Sequence, residues 1–216
     1  MPLVADSLRA YWGGRPLPVS SLTTPRLTDL GVEAYPEVTR RVWVGQGVEQ
    51  MPRFYFHSGA DTSQWVSTQL EPVGAEFRAH DQLTVDTVGL GPGQPLGLLV
   101  QAAGAQRFWG GQVDYQFVEL LTLEPQPRLL LKSETSWTNT SYGRRSEGEF
   151  DDDAAGEERR EQTIQVQSGT IRVGPVRVVE RLGAERTAQT LRTVPMTMVP
   201  PGCYRYQAGQ LVRIGR

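Results

Sequence analysis

Two stretches decide the fold: QTIQVQSGTIRVG at residues 162–174 and CYRYQAGQLVRIG at residues 203–215. Each sets a Gln-small-Gly triplet between runs in which apolar and polar residues alternate, the two-residue period of a strand with one buried face. The triplet suits a tight turn with positive φ at Gly169 or Gly209, so each stretch predicts a β-hairpin. The hairpins are alike over too few residues to make a structural repeat, which needs a fixed period and more copies.

The same grammar extends towards the N-terminus. RVWVG from Arg41, RFYFH, SQWVSTQL, AEFRA at 75–79 and QLTVDTVGL at 82–90 are short runs of β-branched and aromatic residues separated by Gly, Pro or Asp. The Gly- and Pro-rich segment 89–97 reads as a loop and PLGLLVQA as a buried strand. Residues 106–123 read as two strands joined at Gly110-Gly111, with Val113, Tyr115 and Phe117 on one face. RLLLKSETSWTNTSY reads as a long strand, and 176–182 and 186–194 as further strands, although ERTAQTLRT also allows a helical turn. Long helices alternating with strands are missing, which disfavours an α/β fold. The expectation is an all-β protein, an antiparallel β-sandwich or closed β-barrel of about 10–13 short strands.

Residues 1–40 carry five prolines and are expected as an irregular arm or packed loop with little helix, Asp6 or Ser7 capping a short turn that Gly13-Gly14 would end. Residues 41–216 then form one β domain carrying an acidic hairpin loop at 143–161.

With 38% apolar residues and a mean hydropathy of −0.38, the chain has the composition of a soluble globular protein. Its longest apolar run, around Leu129 to Leu131, is too short to span a bilayer. The start lacks a basic region followed by an apolar stretch, so no signal peptide is expected in it; a trimmed exported domain would read identically. One cysteine, Cys203, allows no internal disulfide framework and gives no zinc spacing. Residues 144–161 hold four basic and eight acidic side chains, and residues 162–216 hold eight basic and two acidic. Either the basic segment offers an anion-binding face, or the acidic stretch folds back over the strands that follow it.

No catalytic or cofactor motif is present, so candidate chemistry rests on clusters. Glu147, Glu149, Asp151 and Asp153 would share one face of an extended segment and are the candidate metal ligands, with calcium the one cofactor considered. Asp151, Asp153 and Gly156 match the first, third and sixth positions of a calcium loop, but Ala155 and Gln162 break the fifth and twelfth. Solvated carboxylates partly neutralised by Arg144, Arg145, Arg159 and Arg160 are the simpler reading.

The aromatic residues Trp109, Tyr115, Trp137 and Tyr142 are the candidate binding surface, Trp137 being flanked by small hydroxyl-bearing residues suited to a protein or carbohydrate partner. The ordinary alternative places Trp137 in the core with the hydroxyls outside. Asn139-Thr140-Ser141 also fits a glycosylation acceptor. A hydrolase would use His57, Asp61, His80 and Asp81, or two of the strand carboxylates Asp86, Asp114, Glu119 and Glu134 facing one another. A structural subunit docking through the N-terminal arm is a third reading. The arginines of 172–213 lack the aromatic interleaving of a nucleic-acid binder, and nucleic acid is not expected as a partner. The expectation is therefore a non-catalytic binding module.

Overall fold

The computed structural model describes residues 9–17, 20–22, 42–46, 52–57, 65–69, 83–108, 110–123, 126–144, 150–182 and 185–215. Among them are sixteen strands and no helix. The strands are β1 (Tyr11–Pro16), β2 (Ser20–Leu22), β3 (Val42–Gln46), β4 (Pro52–His57), β5 (Trp65–Gln69), β6 (Leu83–Gly89), β7 (Leu96–Phe108) and β8 (Gly111–Thr122). They continue as β9 (Arg128–Arg144), β10 (Phe150–Glu161), β11 (Ile164–Gln167), β12 (Thr170–Val173), β13 (Arg177–Leu182), β14 (Glu185–Thr190), β15 (Gly202–Gln207) and β16 (Gln210–Gly215). None of the described residues belongs to a helix long and apolar enough to cross a membrane.

Both closing hairpins form. Gln167 faces Thr170 and Gln207 faces Gln210, leaving two-residue loops. Ser168 and Gly169 have φ of 49° and 77°, and Ala208 and Gly209 have 48° and 87°. Positive φ at both positions is the I′ geometry, whose twist matches that of paired strands. The first loop residue thus also turns left-handed, although it carries a Cβ in each hairpin.

The hairpins join as β11-β12-β15-β16, a four-stranded antiparallel sheet. A larger sheet runs β14-β13-β10-β9-β8-β7-β6, with β1 pairing on β9. The two pack face to face around one core. Leu120, Leu131 and Val118 come from the large sheet, and Ile171, Val173, Tyr204, Tyr206 and Leu211 from the small one. This is a sandwich, one of the two architectures expected; β9, at 17 residues, is the long strand its sequence suggested, while β7, β8 and β10, at 12 or 13 residues, are longer than the short strands expected. A third antiparallel sheet has the order β2-β5-β4-β3.

Two bulges in β9 set which residues face which side. Leu120 pairs with Leu131 and Leu121 with Leu129, so Leu130 is extra and both Leu130 and Leu131 reach the core. Gln116 pairs with Ser136 and Phe117 with Glu134, making Thr135 extra. That second shift brings Trp137 to the same face as Glu134 and Lys132, across the sheet from the small sheet.

Two expectations about local structure change. Tyr11 to Pro16, placed in the irregular arm and partly in a helical turn, form β1 instead. A Cβ on Gly14 would stand 1.9 Å from the Gly209 carbonyl oxygen, so the Gly pair permits the second hairpin's tip to lie against β1 rather than ending a helix. The acidic stretch 143–161 is mainly strand, with β9 running to Arg144 and β10 beginning at Phe150. Its charges suit a strand because same-side neighbours neutralise each other: Arg159 and Glu161 approach to 2.6 Å, and Arg160 and Glu158 to 2.8 Å. Pairing with β13 sets Glu157 opposite Arg181 and Glu161 opposite Arg177, so the acidic stretch does fold back on the basic one. Residues 185–190 form β14, in keeping with the strand reading of 186–194 rather than the helical turn that ERTAQTLRT also allowed.

Candidate functional site

On the face of the large sheet turned away from the small one, one row of cross-strand partners reads Tyr115, Trp137, Arg160, Val178 and Gln189. The next reads Val113, Asn139, Glu158, Glu180 and Thr187. Strand alternation selects these residues, since every second side chain shares a face.

Arg160 lies over the Trp137 ring with its guanidinium carbon 4.3 Å from the centroid. Glu158 fixes it there, accepting from Nε and Nη2 at 2.8 Å each. Tyr115 stacks edge-on against Phe117 at 5.4 Å between centroids. Behind this row the face is buried and partly charged. Lys132 Nζ stands 3.5 Å from Glu119 Oε1, the two being cross-strand partners and both almost fully enclosed. Glu134 is also enclosed, and burial pushes its carboxyl up to about 7 against the weaker opposing effects of a hydrogen bond with Thr197 and the charge of Arg160.

Beside the Trp137 row lies a groove of about 410 Å³ over the outer strands, lined by Asn139, Ser141, Glu158, Glu180, Glu185 and Thr187 among others. Gly156 leaves its floor open, where a Cβ would stand 3.1 Å from Ser141 Oγ. The lining is rich in acceptors. Asn139 Oδ1 is buried without a hydrogen-bond partner among the described residues, and Glu180 faces Glu158 directly across the strands. Neither Glu180 nor Glu185 has an ion-pair partner among the described residues. The exposed side chain of Leu182 forms an apolar rim.

Of the four aromatic residues singled out by sequence, Tyr115 and Trp137 come together as direct partners. Tyr142 lies on β9 on the opposite face, its backbone N–H donating to Gly110 at 2.9 Å, and Trp109 lies outside the described residues. The hydroxyls of Ser136, Thr138 and Thr140 point to the face opposite Trp137, so no single face combines them with the indole. Glu147 and Glu149 are outside the described residues, and Asp151 and Asp153 lie on β10 with only their backbone described. No described His, Cys, Asp and Glu form a group that could hold a metal ion.

His57 ends β4 opposite Trp65, again described by backbone alone, while Asp61, His80 and Asp81 are outside the described residues. Of the strand carboxylates, Asp86 is exposed and Asp114 accepts from Gln112 at 2.6 Å. Glu119 and Glu134 share a face but are enclosed, and neither lines the groove. Asn139 sits mid-strand, not in the exposed loop a glycan acceptor needs. Sequence reasoning missed Arg160, Glu158 and Glu180 as site residues; the available signal was the Glu157-Glu158-Arg159-Arg160-Glu161 run, whose same-face charges compensate only in a strand. No family model, curated protein or solved structure matches the chain.

Proposed function

We propose that the protein is a non-catalytic β-sandwich binding module that holds a protein partner in the groove beside the Trp137 row. The observation that carries this reading is the groove's surplus of acceptors: the Glu180 and Glu185 carboxylates have no ion-pair partner and the buried Asn139 Oδ1 no hydrogen-bond partner among the described residues. Such a lining favours a donor-rich cationic group, and an arginine or lysine side chain fits it with its aliphatic stem on Leu182 and its head at the carboxylates. A carbohydrate would use an open aromatic face, and Arg160 already covers one face of Trp137. The enclosure of Glu119 and Glu134 supports a binding role over paired-carboxylate hydrolysis.

An immobilised array of arginine-bearing peptides, lysine-bearing peptides and neutral oligosaccharides tests the reading. Capture by cationic peptides that weakens at least about tenfold in a Glu180→Gln, Glu185→Gln variant is the expected result, since charge-assisted hydrogen bonds are the strong ones. Retention of oligosaccharides alone would reject it.

A further inference from the structure

We propose that β14 is an assembly edge through which two copies of the chain join into one continuous sheet. β14 ends the large sheet, and all six of its residues are exposed. It pairs with β13 over six consecutive positions without a bulge. It carries no proline and no lysine, and its two charged residues, Glu185 and Arg186, lie together at one end, leaving Thr187 to Thr190 uncharged. The opposite end of that sheet is different, because the tip of the first hairpin sits beside it: a Cβ on Gly169 would stand 2.7 Å from the Leu90 carbonyl oxygen.

The ladder identifies which backbone groups are open. Leu191 N–H donates to the Val176 carbonyl at 2.9 Å, in register with Thr190 opposite Arg177. Antiparallel bonding alternates every second residue, so Gln189, Thr187 and Glu185 also point to β13. The N–H and C=O of Arg186, Ala188 and Thr190 therefore point outward. A two-fold axis perpendicular to the sheet is centred on one of these three or on Thr187 or Gln189 between them, and the last two leave only two outward-facing pairs within the strand. Centring on Arg186 opposes two guanidiniums, and centring on Thr190, the last strand residue, leaves most of β14 unpaired.

Centring on Ala188 sets Ala188 against its copy, Arg186 against Thr190 and Thr187 against Gln189. Three outward-facing pairs then exchange two backbone hydrogen bonds each, and no like charges face each other. This self-complementarity is why the occupant is a second copy. The axis also places the two grooves on the same face of the joined sheet, since Glu185 and Thr187 line each of them.

Sedimentation velocity over a concentration series, with no ligand, tests this independently of the binding reading. The parent chain is expected to move from its 24.0 kDa monomer to a species of twice that mass as concentration rises. Ala188→Pro removes an N–H that serves only the open edge, and Ala188→Lys opposes two ammonium groups on the axis. Each should raise the dissociation constant at least about tenfold, with the far-UV circular dichroism unchanged. Where the proline variant loses its spectrum, the lysine variant decides. A parent monomeric throughout the series, or a lysine variant that dimerises as the parent does, overturns the proposal.

Discussion

The guanidinium of Arg160 stands 4.3 Å from the centroid of the Trp137 ring, and the two are direct cross-strand partners on β10 and β9. The contact links the acidic hairpin to the long central strand, with Glu158 holding the cation in place. Arg160→Ala is expected to lower stability by about 1 kcal/mol, the usual worth of a partly desolvated cation–π contact with its supporting pair. Arg160→Lys should recover only part of this because it cannot keep both bonds to Glu158. Urea unfolding of the three proteins checks the order; identical midpoints would mean that the stack contributes nothing.

Glu134 makes stability depend on pH with a definite sign. Its folded carboxyl lies at about 7, against an ordinary 4.5, because burial penalises the charge. The folded state therefore holds the proton more tightly than the unfolded one, so stability is greatest below about 4.5 and falls as pH rises through 7. At full effect the loss is up to about 3 kcal/mol. Glu134→Gln should flatten this part of the profile and exceed the parent's stability above neutral pH. Unchanged pH dependence in the variant would show that Glu134 is not its source.

The hairpin tips carry a cost that one substitution removes. Ala208 has φ of 48°, a left-handed conformation that a Cβ disfavours. Ala208→Asn or Ala208→Gly should stabilise by about 0.5–1 kcal/mol, since I′ loops prefer those residues. A fall in melting temperature for both would contradict the turn geometry.

β1 should respond in the opposite direction. Gly14→Ala would drive its methyl into the Gly209 carbonyl, which is backbone and cannot rotate aside. A loss of about 1–3 kcal/mol is expected, as for other overpacked sites. Hydrogen exchange at Tyr11 to Pro16 should quicken at the same time, and unchanged protection there would argue against the contact.

These effects mark where local sequence carried the fold and where it did not. The hairpins at 162–174 and 203–215 were legible because period-two alternation and a Gly-containing loop agree, and β8 for the same reason beside Gly110-Gly111; β7 was legible from its unbroken apolar run Leu98 to Val100, and β9 from Leu129 to Leu131 and the alternation that follows. β1 was not, because Gly13-Gly14 reads as a breaker until the Gly209 carbonyl needs the space. β10 was not, because five consecutive charged residues at 157–161 resemble solvent-exposed loop; only the long-range register with β9 and β13 reveals their partners. The site followed the same division. Tyr115 and Trp137 could be named from alternation, but their pairing depends on β8–β9 register and the bulge at Thr135. The hydroxyls around Trp137 read as its companions and lie on the other face, since neighbours in a strand diverge.

The most direct test of the binding account is an amide chemical-shift titration of the protein with a short arginine-bearing peptide. Saturable shifts concentrated at Asn139, Ser141, Gly156 and Thr187, weakened by Glu180→Gln, are the predicted result. Shifts absent from these four positions, with or without changes elsewhere, would contradict it.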